Sequence, residues 1–90
     1  MKPIRLSEHA KRRLQARGFT EDEVRETILT SEWQPAELNR LECRKTFPYG
    51  KMWNGKEYLY KQVRPIFVEE DEEIVVITVY TYFFNEEVKQ

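Results

Sequence analysis

Histidine and cysteine each occur once in the chain, as His9 and Cys43. One of each is too few to build a zinc site, and a lone cysteine closes no internal disulfide. Long apolar runs are missing too: none approaches the roughly 20 residues that span a bilayer, and Met1 to Leu6 lacks an apolar signal core. A soluble protein is therefore expected, with the cytoplasm as its default address and no membrane partner. Glycine (three) and proline (four) are few, and no repeat or low-complexity linker divides the chain. What is present is 40% apolar and 13% aromatic, too much for disorder. Ninety residues are expected to form a single domain, 1–90, burying roughly 60 to 65% of the surface exposed when unfolded. That gives one core, at most one shallow cleft and no room for a cofactor domain, so no cofactor is expected.

The net charge of −1 suggests indifference to nucleic acid, but the charges are segregated along the chain. Residues 1–18 hold six basic and one acidic side chain, residues 19–32 one and five, residues 33–64 seven and three, and residues 65–90 one and seven. A fold that joins the first and third blocks would carry a positive field that the total conceals. The plainer reading is that mixed charges keep a small protein soluble.

Periodicity and punctuation divide the chain into helices and then strands. Ser7 is a plausible N-cap, and Leu6, Ala10 and Leu14 recur every four residues, predicting a helix from about Glu8 to Arg17. Gly18 then takes the left-handed position past the helix end. Thr20 and Glu23 form a capping box and Phe19 with Val24 a hydrophobic staple, so a second helix starts at about Glu21 and ends near Ser31. After that the period becomes two. Leu41, Cys43 and Phe47 alternate with Glu42, Arg44 and Thr46, predicting a strand that ends at Pro48, Tyr49 and Gly50, with a turn at Trp53, Asn54 and Gly55. A second strand runs from about Glu57 to Val68 and must be at an edge or bulged at Pro65, which cannot donate to a ladder. The strongest strand signal is Ile74 to Phe84, where unbroken alternation would put Thr78, Tyr80 and Tyr82 on one face with Val76. The five acids Glu69 to Glu73 read as a solvated tip that guards this strand against aggregation.

The segment Leu6-Ser7-Glu8-His9-Ala10-Lys11-Arg12-Arg13-Leu14-Gln15-Ala16-Arg17-Gly18 is followed by an acidic second helix and ends in Ile74-Val75-Val76-Ile77-Thr78-Val79-Tyr80. Over roughly residues 4–82 this resembles a family of short bacterial proteins of unknown function. Its pattern is Ser-x-His-Ala, then arginines, Arg-Gly, and a terminal Val-Val-Thr-x-Tyr strand. That family is grouped with the RelE and ParE toxins and, more remotely, with the barnase-like ribonucleases of the barnase/EndoU/colicin/RelE superfamily. The resemblance implies an α+β, RelE-like fold: an N-terminal helical hairpin packed on a three- to four-stranded antiparallel sheet whose other face can bind RNA.

Two functions from different classes follow as expectations. The first is a metal-independent RelE-like endoribonuclease, the toxin of a toxin–antitoxin pair, cleaving RNA (ribosome-bound mRNA included) by 2′-hydroxyl attack. In it His9 is the acid or base, Arg44 and Arg64 are phosphate cations and Tyr80 is a hydroxyl donor, because the transition state gains negative charge on phosphate oxygens. Arg12, Arg13, Arg17, Lys61, Tyr60, Thr78 and Tyr82 are the accompanying RNA-binding candidates. The second is a non-catalytic protein-binding module, as an antitoxin or a gyrase-type target would require. Each residue also has a structural reading: His9 capping its helix or bonding a strand, Lys45 and Lys61 snorkelling, and the tyrosines packing across strands. Trp33 and Trp53 anchor packing or a partner, and Cys43 belongs to the core. The sequence leaves the oligomeric state open.

Overall fold

Ser7 ties the first helix to the sheet. Its hydroxyl accepts from the Ala10 amide at 3.1 Å and donates to the Ile77 carbonyl at 3.0 Å, so one side chain both caps α1 (Glu8–Arg17) and docks it. A cap of this type contributes about 1 kcal/mol. Gly18 ends the helix as predicted, at φ 71°, with its amide donating to the Leu14 carbonyl at 3.0 Å. The Thr20–Glu23 capping box starts α2 (Glu21–Thr30), and Phe19 and Val24 are both buried beneath it. This is a computed structural model that describes residues 2–86; Met1 and residues 87–90, the two ends of the expected 1–90 domain, lie outside the described residues.

Among the described residues the sheet has six strands, β1 (Ile4–Leu6), β2 (Gln34–Ala36), β3 (Arg40–Glu42), β4 (Lys45–Trp53), β5 (Lys56–Glu69) and β6 (Ile74–Phe84). Their order is β1-β6-β5-β3-β2, with β4 also paired to β5. The expectation of a three- to four-stranded antiparallel sheet is therefore corrected. The fold is α+β with two helices, but the sheet is mixed, since β1 runs parallel to β6. Strands of three residues, such as β1, β2 and β3, are too short to show a period of two.

The strand expected from Leu41 to Phe47 is two strands, interrupted at Cys43 and Arg44. Nor does it end at Pro48. β4 is an edge strand, where a missing N–H costs no ladder bond, and it passes through an irregularity between Pro48 and Lys51 that holds Gly50 at φ 65°. Asn54 and Gly55, both at positive φ, close the predicted turn into β5. Pro65 lies beside the break in the neighbouring ladder: β3 stops with Glu42 opposite Ile66 and β4 begins with Lys45 opposite Val63.

Both helices cover one face of the sheet. Leu6, Ala10, Phe19, Val24, Ile28, Cys43, Val63, Phe67, Ile74, Val76 and Val79 form the core there. Trp33 packs edge-on against Phe67, with centroids 5.0 Å apart, and donates its indole N–H to the Ile28 carbonyl at 2.8 Å. Trp53 stacks on Phe83 at 4.7 Å, closing over Gly18. Phe84 points to the other face, against Tyr60 at 5.5 Å. Within β6 the expected alternation fails once. Phe67 pairs with Val76 and Ile66 with Thr78, so Ile77 is an extra, bulged residue. Val76 therefore joins the core with Val79, instead of sharing the face of Thr78, Tyr80 and Tyr82.

Candidate nucleic-acid interface on the open face of the sheet

Beyond Leu6, where β1 ends, β6 has no strand on its outer edge among the described residues, and α1 occupies that flank from behind. Arg17, in the last turn of α1, reaches around the edge. One of its terminal nitrogens donates to the Val79 carbonyl at 2.9 Å and to the Thr78 hydroxyl at 3.2 Å, while the Thr81 hydroxyl donates back to the Arg17 carbonyl. The Arg17 guanidinium then lies 5.1 Å from the centroid of the Tyr80 ring, on the open face. Arg64 of the adjacent strand approaches the same ring at 5.6 Å. Two guanidiniums thus attend one tyrosine that is 40% exposed.

Arg64 is held in a fork. Its Nε and Nη2 donate to the two oxygens of Glu42 at 3.1 and 2.9 Å, and its Nη1 donates to the Tyr82 hydroxyl at 3.4 Å. The carboxylate fastens the proton on Arg64 more firmly, and Arg64, followed by Arg44, holds the Glu42 carboxyl below the usual carboxylate range. Arg44 adds a 3.1 Å contact to the same carboxylate. Beside this group opens a cleft of about 540 Å³ between the β2–β3 connection, Ala36 to Leu38, and the sheet positions Ile66, Thr78 and Tyr80. Leu38 and Asn39 stand at φ 61° and 60°, consecutive left-handed residues that are not glycine. Such positions cost on the order of 1–2 kcal/mol each for a residue with a Cβ. Leu38 is also 79% exposed, the most exposed large apolar side chain among the described residues.

The structure therefore brings together Arg17, Arg44, Arg64, Thr78, Tyr80 and Tyr82 from the sequence-predicted set, with Tyr60 further along the same face. It joins basic residues of the first and third charge blocks, as their segregation suggested. It does not bring in the rest. Lys61 lies on the helix side and is buried; its ammonium bonds the Glu23 carboxylate at 2.7 Å and the Gly18 carbonyl at 3.1 Å, beneath the Tyr49 ring. Lys45 is on that side too, bound to Glu26 and Thr30. Arg12 and Arg13 project from α1 into solvent. His9 is exposed in the first turn, about 12 Å along the helix axis from Arg17. No hydrogen bond or ion pair joins it to the cluster among the described residues. Guanidiniums attend the Tyr80 ring, so its hydroxyl, the group expected to act as donor, is the part left for a ligand.

Two participants were missed by sequence reasoning. Glu42, the carboxylate that organises Arg64 and Arg44, alternates with Arg44 on the polar side of its strand, and that pattern was available. Arg40, a cleft-lining cation with no ion pair among the described residues, sits in a strand too short to register.

The family model described as Domain of unknown function (DUF4258) matches residues 6–81. The chain belongs to the DUF4258 family. No curated protein and no solved structure matches it. The DUF4258 segment contains Arg17, Glu42, Arg64, Thr78 and Tyr80, so nearly the whole cluster is family sequence, with Tyr82 one residue beyond it. Among the described residues of this DUF4258 chain, no helix is long and apolar enough to cross a membrane.

Proposed function

We propose that this DUF4258 protein is a RelE-like endoribonuclease toxin that binds single-stranded RNA on the open face of its sheet. The observation that supports this best is the pair of guanidiniums, Arg17 and Arg64, converging on Tyr80 on a surface that neither α1 nor α2 covers. In-line attack by a 2′-oxygen on the adjacent phosphorus expels the 5′-oxygen, giving a 2′,3′-cyclic phosphate and a 5′-hydroxyl, with no water consumed. The phosphate oxygens gain charge in the transition state, and fixed guanidiniums favour that charge. The Tyr80 hydroxyl donates to the departing 5′-oxygen. Glu42, kept ionised by its arginines, orients them, and the proton of the 2′-hydroxyl passes to water in the open cleft. His9 serves as acceptor only if the strand continues round the free edge of β6 and along α1. An antitoxin protein would complete the toxin reading by covering this face.

Cleavage of short single-stranded and ribosome-bound RNA by purified protein tests the proposal, with growth arrest on expression as the cellular readout. Arg64→Ala and Tyr80→Phe are expected to lower the rate by about 100-fold or more, in the range of lost general acid–base groups. His9→Ala separates the two proton acceptors. Intact RNA after incubation with wild-type protein, and growth arrest unrelieved by these changes, would leave the non-catalytic, partner-binding alternative in its place.

A further inference from the structure

We infer that the cleft between the β2–β3 connection and the open face of β5 and β6 seats one nucleotide unit, with its phosphate on Arg40 and its base against Leu38. This deepens the RNA reading above and rests on it, since it assigns a place to the nucleotide flanking the scissile phosphate.

Three independent features converge on this cleft. Its volume of about 540 Å³ lies within the range of small-ligand sites, 300–1,000 Å³, and exceeds what a bare phosphate needs. Its cations are unequal: Arg64 is neutralised by Glu42, whereas Arg40 has no carboxylate within ion-pair distance among the described residues and is the charge left for an anion. Its lip carries exposed apolar surface. Leu38 is held out at 79% exposure by backbone at φ 61°, where glycine would be the unstrained choice, and Pro35 and Ile66 line the same cleft. An apolar side chain kept exposed at a costly backbone position is explained by a flat partner that covers it. Nucleobases have two such faces, and their stacking tolerates any sequence. Glu37, also without an ion pair among the described residues, lines the same lip and repels a second phosphate there, so the base, whose amino and imino groups are donors, belongs at that end.

The test is a titration of isotope-labelled protein with adenosine monophosphate, adenosine and inorganic phosphate, followed by amide NMR shifts, with the variants Leu38→Gly and Arg40→Gln. Glycine accepts the φ of position 38, so Leu38→Gly is expected to stay folded. The nucleotide should shift Leu38, Arg40, Ile66 and Thr78 and bind more tightly than either fragment. Leu38→Gly should weaken the nucleotide about fivefold or more while leaving phosphate unchanged, and Arg40→Gln should weaken both. The inference is overturned if millimolar nucleotide shifts nothing, if its shifts map outside the cleft, or if Leu38→Gly binds it as well as wild type. RNA cleavage that survives with any of those outcomes would leave the ribonuclease reading standing without this subsite. A nucleotide seated in the cleft of a protein that cuts no RNA would uphold the subsite and remove the ribonuclease reading.

Discussion

Removing the Glu42–Arg64 fork should reveal a coupling that depends on pH in a determined direction. The pair is two-pronged, and its side chains are only 14% and 26% exposed. It should therefore exceed the 0.2–1 kcal/mol of an exposed pair. It also faces an open cleft, so it should fall short of the 3–5 kcal/mol lost when a fully buried pair is broken. A coupling of about 1–2 kcal/mol lies between these limits. A double-mutant cycle of Glu42→Gln and Arg64→Met measures it, by urea unfolding followed through the fluorescence of Trp33 and Trp53. Arg64 lowers the folded-state pKa of Glu42, so the folded chain binds that proton less readily than the unfolded one. The contribution is therefore fully present above the ordinary glutamate value of about 4.3 and disappears as pH falls through the lowered folded value. In a chain of this size, losing it should lower the melting temperature by roughly 5–15 °C at neutral pH. A coupling below about 0.5 kcal/mol at pH 7, or one equally large at about pH 3, would refute the reasoning.

Gly18→Ala should destabilise by about 2–4 kcal/mol, because φ is 71° and the new Cβ would meet the Trp53 ring at 2.7 Å; a loss under 1 kcal/mol by urea unfolding would show that the ring yields easily. Lys61→Ala should cost about 2–4 kcal/mol by stranding Glu23 under the helices, yet leave the salt dependence of RNA binding unchanged. A salt slope reduced by about one would instead return Lys61 to the RNA contact. The Cys43 thiol is pushed up to about 12 by burial and then by the Glu42 charge, so a disulfide reagent at pH 8 should leave the native protein unlabelled and react on unfolding.

Local chemistry made the helical hairpin legible, because its signals lie within a few residues of one another: Ser7 with Ala10, Thr20 with Glu23, and Gly18 past a basic turn. β6 was equally plain from its eleven residues of β-branched and aromatic type. The edge strands were not, since three residues can neither show a period nor name a partner across 70 positions, as β1 does with β6. At the site, composition marked the arginines and tyrosines as candidates, but the faces they occupy are set by pairing. Lys61 and Arg64 are three residues apart on one strand and differ in fate because Lys61 and Val63 face the helices while Gln62 and Arg64 face the open side. His9 was singled out by its chemical type and its place in the Ser-x-His-Ala motif, and helix geometry set it at the far end of α1 from Arg17.

The bulge at Ile77 decides which side of β6 meets a ligand, and a deletion tests that claim. Upstream, Ile74 and Val76 face the core; downstream, Val79, Thr81 and Phe83 do, a change from even to odd numbers that requires one extra residue. Deleting Ile77 should therefore restore a regular ladder, with Val76 still opposite Phe67 and Thr78 still opposite Ile66, and leave Tyr80 and Tyr82 on the open face. Its cost is the docking bond from Ser7 and part of one side chain, about 1–3 kcal/mol. Deleting Val79 has the opposite consequence. Tyr80 would then enter a wholly buried position and every later residue would change sides, which exceeds what a marginally stable fold of about 5–15 kcal/mol tolerates. A folded Val79 deletion, or an unfolded Ile77 deletion, would mean that the face carrying Tyr80 is set by contacts other than this single inserted residue.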